Sequence, residues 1–244
     1  MTPHAKPFLT AHWRSLAMLN FEIDPRVLRP LVPAGTELDA WHGRTFVSVV
    51  GFLFLDTRVC GIALPFHRNF EEVNLRFYVR RVVNGEVRRA VVFVKEIVPR
   101  AAIAWTARAL YGENYVALAM QHRIELDPAA HARRVMYSWQ LHGANNVIEL
   151  TCAGVPHDIA PESEVEFIAE HYWGYARRRD GRTHEYRVAH PRWQVSDAAT
   201  SRLECDVAAL YGSQFVESLS ARPASAFLAV GSEVSVFKGT TLRS

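Results

Sequence analysis

Residues 72–80, EVNLRFYVR, alternate without a break. Glu72, Asn74, Arg76, Tyr78 and Arg80 stand on one side, and Val73, Leu75, Phe77 and Val79 on the other. A helix would scatter both sets around its circumference, so a period of two held this long means a β-strand. The apolar side must be buried. The polar side has two readings: it faces solvent, or it lines the polar lumen of a barrel, where such folds place ligands.

Strand-like segments recur along the chain, at 44–58, 71–82, 87–98, 115–126, 132–142 and 146–153. Helical signals are few and short. Asp24 can cap a short helix with Pro25 at its first position, ending near Pro33. A helix is predicted over about 100–111, with Ile103, Ala107, Leu110 and Tyr111 on one face and Gly112 as its stop. Ser163 and Glu166 form a capping box, Asp180-Gly181 marks a hairpin turn, and a helical stretch falls near 203–211. No repeat or linker divides the 244 residues, which predicts one domain over 1–244. The fold class expected is α+β, mainly β: an antiparallel sheet or barrel with short peripheral helices.

Composition narrows the chemistry. The net charge of +3 is too small to argue for nucleic acid. Of the 28 basic residues only Lys6, Lys95 and Lys238 are lysines, so amine chemistry has few candidates. Cys60, Cys152 and Cys205 are widely spaced and form no C-x-x-C, which fits a reducing compartment rather than disulfides or zinc. The segment MTPHAKPFLTAHW lacks a signal-peptide apolar core, and the longest apolar run, FVSVVGFLFL (46–55), is too short to span a bilayer as a helix. A cytoplasmic protein without membrane, metal or cofactor is the expectation. No G-x-G-x-x-G, Walker A, G-x-S-x-G or H-E-x-x-H motif occurs.

The segment VVFVKEIVPR (91–100) sets Lys95 and Glu96 in an apolar run. Regular alternation points Lys95 with Val91, Phe93 and Ile97, and Glu96 with Ala90, Val92 and Val94. Neighbours on a strand face opposite sides, so each charge needs its own partner or water. Lys95 is either a desolvated amine of the Schiff-base kind or a residue of a half-buried strand. His67, before Glu71 and Glu72, is read as an acid–base group or as a loop residue capping the next strand. The stretch EHYWGYARRRDGRTHEYRVAHPRW (170–193) is aromatic and basic, which suits nucleic-acid stacking. With Glu170, Asp180 and Glu185 interleaved, it reads rather as a hairpin whose arginines cluster at a wet turn, leaving His171, Tyr172 and Tyr175 free to face a pocket.

Several segments, taken in order, resemble the YqjF-like family of uncharacterised bacterial proteins: LVPAGTELD, VSVVGFLFLDTRVCG, FEEVNLRFYVRR, VVFVKEIVPR, EHYWGYARRRDG, EYRVAHPRW, ALYGSQF and SAFLAVGSEVSVF. The resemblance runs from about residue 8 to 241 and implies no established activity. The chain also resembles acetoacetate decarboxylase more distantly. Arg14 precedes DPRVLRPLVP much as that enzyme's arginine precedes a helix ending in V-V-P. Asp180-Gly181 follows an aromatic strand, and KEI stands where the enzyme has R-E-L. This likeness implies a closed antiparallel β-barrel with an internal pocket. The decarboxylase's Schiff-base lysine has no counterpart, because Arg100, or Ala101 and Ala102, occupy its place. Arginine stays protonated and forms imines poorly.

The resulting expectation is a small-molecule pocket for an anionic organic acid, without a covalent amine. Arg14, Asn74, Arg76, Arg100 and Tyr172 are expected to hold the ligand, and Glu72, Lys95, Glu96 and His171 are the candidates for chemistry. A Schiff-base enzyme using Lys95 is one alternative. An interaction module on 171–193 is the other, although no nucleic-acid partner is expected, and self-association is left open.

Overall fold

The structure is a computed structural model, and it describes residues 6–63, 65–101, 114–178 and 180–242. Among the described residues fifteen strands appear in chain order: β1 (Leu9–Glu22), β2 (Glu37–Leu38), β3 (Phe46–Val59), β4 (Phe70–Val83), β5 (Glu86–Val98), β6 (Tyr115–Ala117), β7 (Met120–Leu126), β8 (Ala132–Leu141), β9 (Ala144–Cys152), β10 (His157–Asp158), β11 (Trp173–Arg177), β12 (Thr183–Ala189), β13 (Gln194–Glu204), β14 (Ser225–Val236) and β15 (Thr240–Thr241). The described helices are short: α1 (Pro25–Leu28), α2 (Glu164–Ala169), α3 (Val207–Leu210) and α4 (Val216–Ser220). The protein is mainly β, as the alternation requires.

The sheet runs β15-β12-β11-β5-β4-β3-β1-β14-β13-β9-β8-β7. Val188↔Val236 and Ala189↔Ser235 also pair β12 with β14, so the hydrogen-bonded path returns on itself through seven strands. The sheet is not wholly antiparallel. One edge of β5 takes β11 in parallel at Ala90 and Val91, and β6 in parallel from Glu96 to Val98.

Local signals explain most element ends. The Asp24 carboxylate accepts the Arg26 amide at 2.8 Å, Pro25 opens α1, and the chain tightens into a 3-10 turn over Arg29–Leu31. Ser163 caps α2 by accepting from the Glu166 amide at 3.1 Å, while the Glu166 carboxylate reaches past the cap to the Glu162 amide at 2.7 Å. The helix near 203–211 shrinks to α3, because residues 203 and 204 stay paired with β9 and Asp206 caps at Ala209. The strand expected over 115–126 is two strands. Leu118 still donates to Val98, but the Ala119 carbonyl accepts from Gln140, so the chain changes partners there. The helix expected over about 100–111 lies almost wholly outside the described residues.

Both faces of the central strands are covered. Val73, Leu75, Phe77 and Val79 enter one core with Ala17, Val49, Tyr137 and Leu150. Tyr78 enters a second core with Met18, Phe46, Phe52 and Phe167. Glu72, Asn74 and Arg76 are 3, 2 and 8 % exposed. The solvent-face reading of β4 is therefore overturned up to Tyr78. Only Arg80 leaves the interior, where it bonds Glu37 at 2.9 Å. Burying each large apolar side chain contributes about 1.5–3 kcal/mol, which fixes the register. A slip of one residue would exchange the two faces.

A candidate ligand site in the sheet interior

The polar residues of β4 line a cavity of about 110 Å³. Its walls are largely aromatic: Trp13 from β1, Phe52 and Phe54 from β3, Phe93 from β5, Tyr186 from β12, and Trp193 just before β13. Trp13 meets Phe52 edge-on at 5.3 Å between ring centroids, and His190 stacks on Trp193 at 4.2 Å. Such contacts contribute about 0.5–1.5 kcal/mol per aromatic pair beyond area burial.

A break in alternation brings Glu96 into this site. In the β4–β5 ladder Leu75 opposes Lys95, but Arg76 opposes Phe93, so Val94 is an extra residue. A β-bulge reverses the facing of everything beyond it. Val91, Phe93 and Glu96 consequently line the cavity together, and Lys95 does not. This corrects the regular alternation, which grouped Lys95 with Val91 and Phe93. Adjacent residues still face opposite ways, and the one pointing inward is Glu96. Burial holds the Lys95 amine below its ordinary range, but it stands off the lining.

Glu72 and Arg76 mark the two ends of the polar strip. Glu72 accepts from Asn74 Nδ2 at 3.0 Å and from the Tyr115 hydroxyl at 3.3 Å. Tyr115 is also hydrogen-bonded to Glu96, which draws the two carboxyl groups into one cluster. Burial raises the Glu72 pKa to about 7, against the smaller opposing pull of Asn74, Tyr115 and Arg76. Arg76 donates to the Ile168 carbonyl at 3.1 Å, touches the Met18 sulfur, and lies over the Tyr78 ring at 5.7 Å. Its Nε–H has no partner, and no carboxylate among the described residues lies within ion-pair distance of it. His171, 4.8 Å from the Tyr78 ring, also lines the site. Burial first, and then the Arg76 and Arg89 charges, push its pKa well below the usual imidazole value, while the Ile168 carbonyl works weakly the other way. These surroundings favour the neutral form of the His171 ring.

The expected site residues divide accordingly. Glu72, Asn74, Arg76, Glu96 and His171 converge on one cavity. Arg14, Lys95, Arg100 and Tyr172 do not line it. Arg14 turns away because its neighbour Trp13 points in, and its guanidinium reaches only the Trp13 carbonyl at 3.4 Å. Arg100 is exposed. Tyr172 packs on the His190 ring at 4.8 Å and donates to Glu170. Tyr175 is buried against Glu185 at 2.6 Å. His67 is in an exposed loop, with its ring on the Pro65 carbonyl. In the 170–193 stretch, Arg178 and Arg182 flank Asp180 at the turn, while His171, Trp173, Tyr186 and His190 face the cavity. The aromatic wall and Tyr115 were not singled out from sequence. The alternation of Tyr186 and Val188 along β12 was the signal available for part of it. Among the described residues, no three His, Cys, Asp or Glu side chains gather as a metal-binding group, and no helix is long and apolar enough to cross a membrane.

Comparison with known proteins places this architecture. Residues 10–233 match the model of DUF2071, described as an uncharacterised conserved protein. The chain belongs to this family. An uncharacterised protein, YqjF, of Bacillus subtilis (strain 168) is 34% identical over 68 residues, a match that spans 28% of each chain. Among solved structures, acetoacetate decarboxylase from Legionella pneumophila superposes with a TM-score of 0.66 at 12% identity, covering 98% of this chain and 88% of that one. The enduracididine biosynthesis enzyme MppR, complexed with pyruvate, gives a TM-score of 0.66 at 12% identity over 99% and 93%. An acetoacetate decarboxylase-like enzyme from Sphingomonas wittichii RW1 gives 0.65 at 14% identity over 100% and 98%. At these identities the likeness establishes the fold, which is acetoacetate decarboxylase-like, and leaves the activity of the DUF2071 chain undetermined.

Proposed function

We propose that the protein holds a small organic anion, a carboxylate, inside a barrel closed by the β12–β14 pairing, and that Arg76 is the group that binds it. The carrying observation is a guanidinium 8 % exposed, with an unused Nε–H and no carboxylate among the described residues within ion-pair distance, in the lining of an aromatic cavity. A buried charge left unpaired costs several kcal/mol. A carboxylate ligand offsets that cost with charge-assisted bonds of about 1.5–3 kcal/mol each. The MppR relative is complexed with pyruvate, a small carboxylate, which supports the size and charge of the ligand. Glu72, linked to Tyr115 and Asn74, supplies a carboxyl group able to hold or release a proton near neutral pH. Any chemistry at this site is then acid–base chemistry without an imine, since Lys95 is off the lining.

Calorimetric titration with short aliphatic and aromatic monocarboxylates tests this. Arg76→Gln should weaken binding about 10- to 100-fold while the protein stays folded and gains stability, because it removes a buried unpaired charge. Undiminished binding by Arg76→Gln, or no carboxylate bound by the wild type, would refute the proposal.

A further inference from the structure

The cavity floor carries a second unmet demand beside that of Arg76. Asn74 is 2 % exposed and donates one hydrogen bond from its amide to Glu72, but its Oδ1 accepts from nothing among the described residues. Asn74 and Arg76 are two apart on one strand face, so their Cα atoms are about 7 Å apart. Arg76 carries an unused donor and Asn74 an unused acceptor, and both residues line the cavity. Beyond Asn74 lies Glu72, which accepts from Asn74 and Tyr115 and, among the described residues, has no cation within ion-pair distance. Going along β4, the floor therefore reads cation with free donor, free acceptor, then carboxyl. A ligand that satisfies all three presents an acceptor anion and, within a few ångströms, a hydrogen-bond donor, with positive charge preferred.

Resting on the carboxylate reading of Arg76, we infer that the ligand is an amino acid or closely similar zwitterion with an apolar side chain. Its carboxylate lies on Arg76, its ammonium group lies between Asn74 Oδ1 and Glu72, and its side chain lies against the aromatic wall. The cavity of about 110 Å³ is several times the roughly 10–15 Å³ that one water needs. That leaves room for a compact apolar side chain such as that of leucine. A 2-oxo acid of the same skeleton has only acceptors, so it leaves Asn74 Oδ1 unpaired and meets Glu72 with no donor, the kind of mismatch a polar site rejects most strongly.

Four acids on one carbon skeleton separate these terms: leucine, 2-hydroxy-4-methylpentanoate, 4-methylpentanoate and 4-methyl-2-oxopentanoate, titrated calorimetrically at pH 8. Leucine should bind at least tenfold more tightly than the unsubstituted and 2-oxo acids, with the hydroxy acid between them. In Glu72→Gln and in Asn74→Leu that preference should fall to within about threefold. Arg76→Gln should weaken every member that binds, which reads the carboxylate end alone. If the wild type binds the 2-oxo acid as tightly as leucine, or leucine's advantage survives both Glu72→Gln and Asn74→Leu, the inference is wrong while the Arg76 reading stands. If no acid binds, the Arg76 reading fails and takes this inference with it. Should Asn74→Leu not fold, Glu72→Gln, an isosteric change, decides the question alone.

Discussion

Gly231→Ala is expected to lower stability by about 4 kcal/mol or more, enough to unfold many domains. Gly231 has φ +85°, a left-handed conformation that costs alanine on the order of 1 kcal/mol or more. The larger cost is a collision. A Cβ there would lie 2.1 Å from the Trp13 carbonyl oxygen and 2.8 Å from its carbon, and backbone in mid-sheet cannot step aside. The close approach exists because β1 bulges at this point. Between Arg14 and Ala17, β1 spends three residues against two of β3, with Ser15 at φ 54°. The Tyr137 hydroxyl anchors the bulge on the Ser15 carbonyl at 2.8 Å. That bulge turns both Trp13 and Leu16 into the cavity. Urea unfolding measures the effect. Gly85→Ala is the control, since φ there is +81° but nothing stands within 4 Å of a new Cβ. It should cost only about 1 kcal/mol. A Gly231→Ala protein as stable as the Gly85→Ala control would disprove the collision argument.

Glu72→Gln should stabilise the protein at pH 8 and do little at pH 4. Burial raises the Glu72 pKa from 4.5 to about 7. Between those values the folded protein holds a proton that the unfolded chain has lost, so the Glu72 contribution to stability falls as pH rises. It is intact below 4.5 and gone above about 7. At about 1.4 kcal/mol per unit, the wild type is destabilised at pH 8 by on the order of 3 kcal/mol. Glutamine keeps the shape and never ionises. His171 acts in the opposite sense: its lowered pKa makes stability rise with pH until its unfolded value near 6.5 is passed. The two partly cancel in the wild-type profile. The difference between Glu72→Gln and wild type, measured by denaturant unfolding from pH 4 to 8, isolates Glu72. A difference that does not grow between pH 5 and pH 7 would show that Glu72 is not buried as a neutral carboxyl.

Much of the fold was legible locally. The alternation in 72–80 gave β4 its two faces, and the cap at Ser163 and the turn at Asp180-Gly181 appear where their residue types demand. The site was legible in part. Glu72, Asn74 and Arg76 share a face because a strand has period two, and that holds whatever surrounds it. His171 lines the cavity, but Tyr172 and Tyr175, grouped with it for lying away from the wet turn, do not. Arg14 does not line the cavity, since resemblance in order along the chain says nothing of which side a residue faces.

The sequence by itself determined that this chain is a sheet protein and that one strand carries a carboxylate, an amide and a guanidinium in a row. It also determined that Lys6, Lys95 and Lys238 are the lysines available for amine chemistry. Whether that row faced water or the interior was decided only in three dimensions, because it depends on α2, β11 and β12 folding back over it from a hundred residues away. The identity of the second inward carboxylate was decided there too. One extra residue at Val94 exchanges Lys95 for Glu96, and a bulge belongs to the pairing of two strands, so neither strand's own pattern records it.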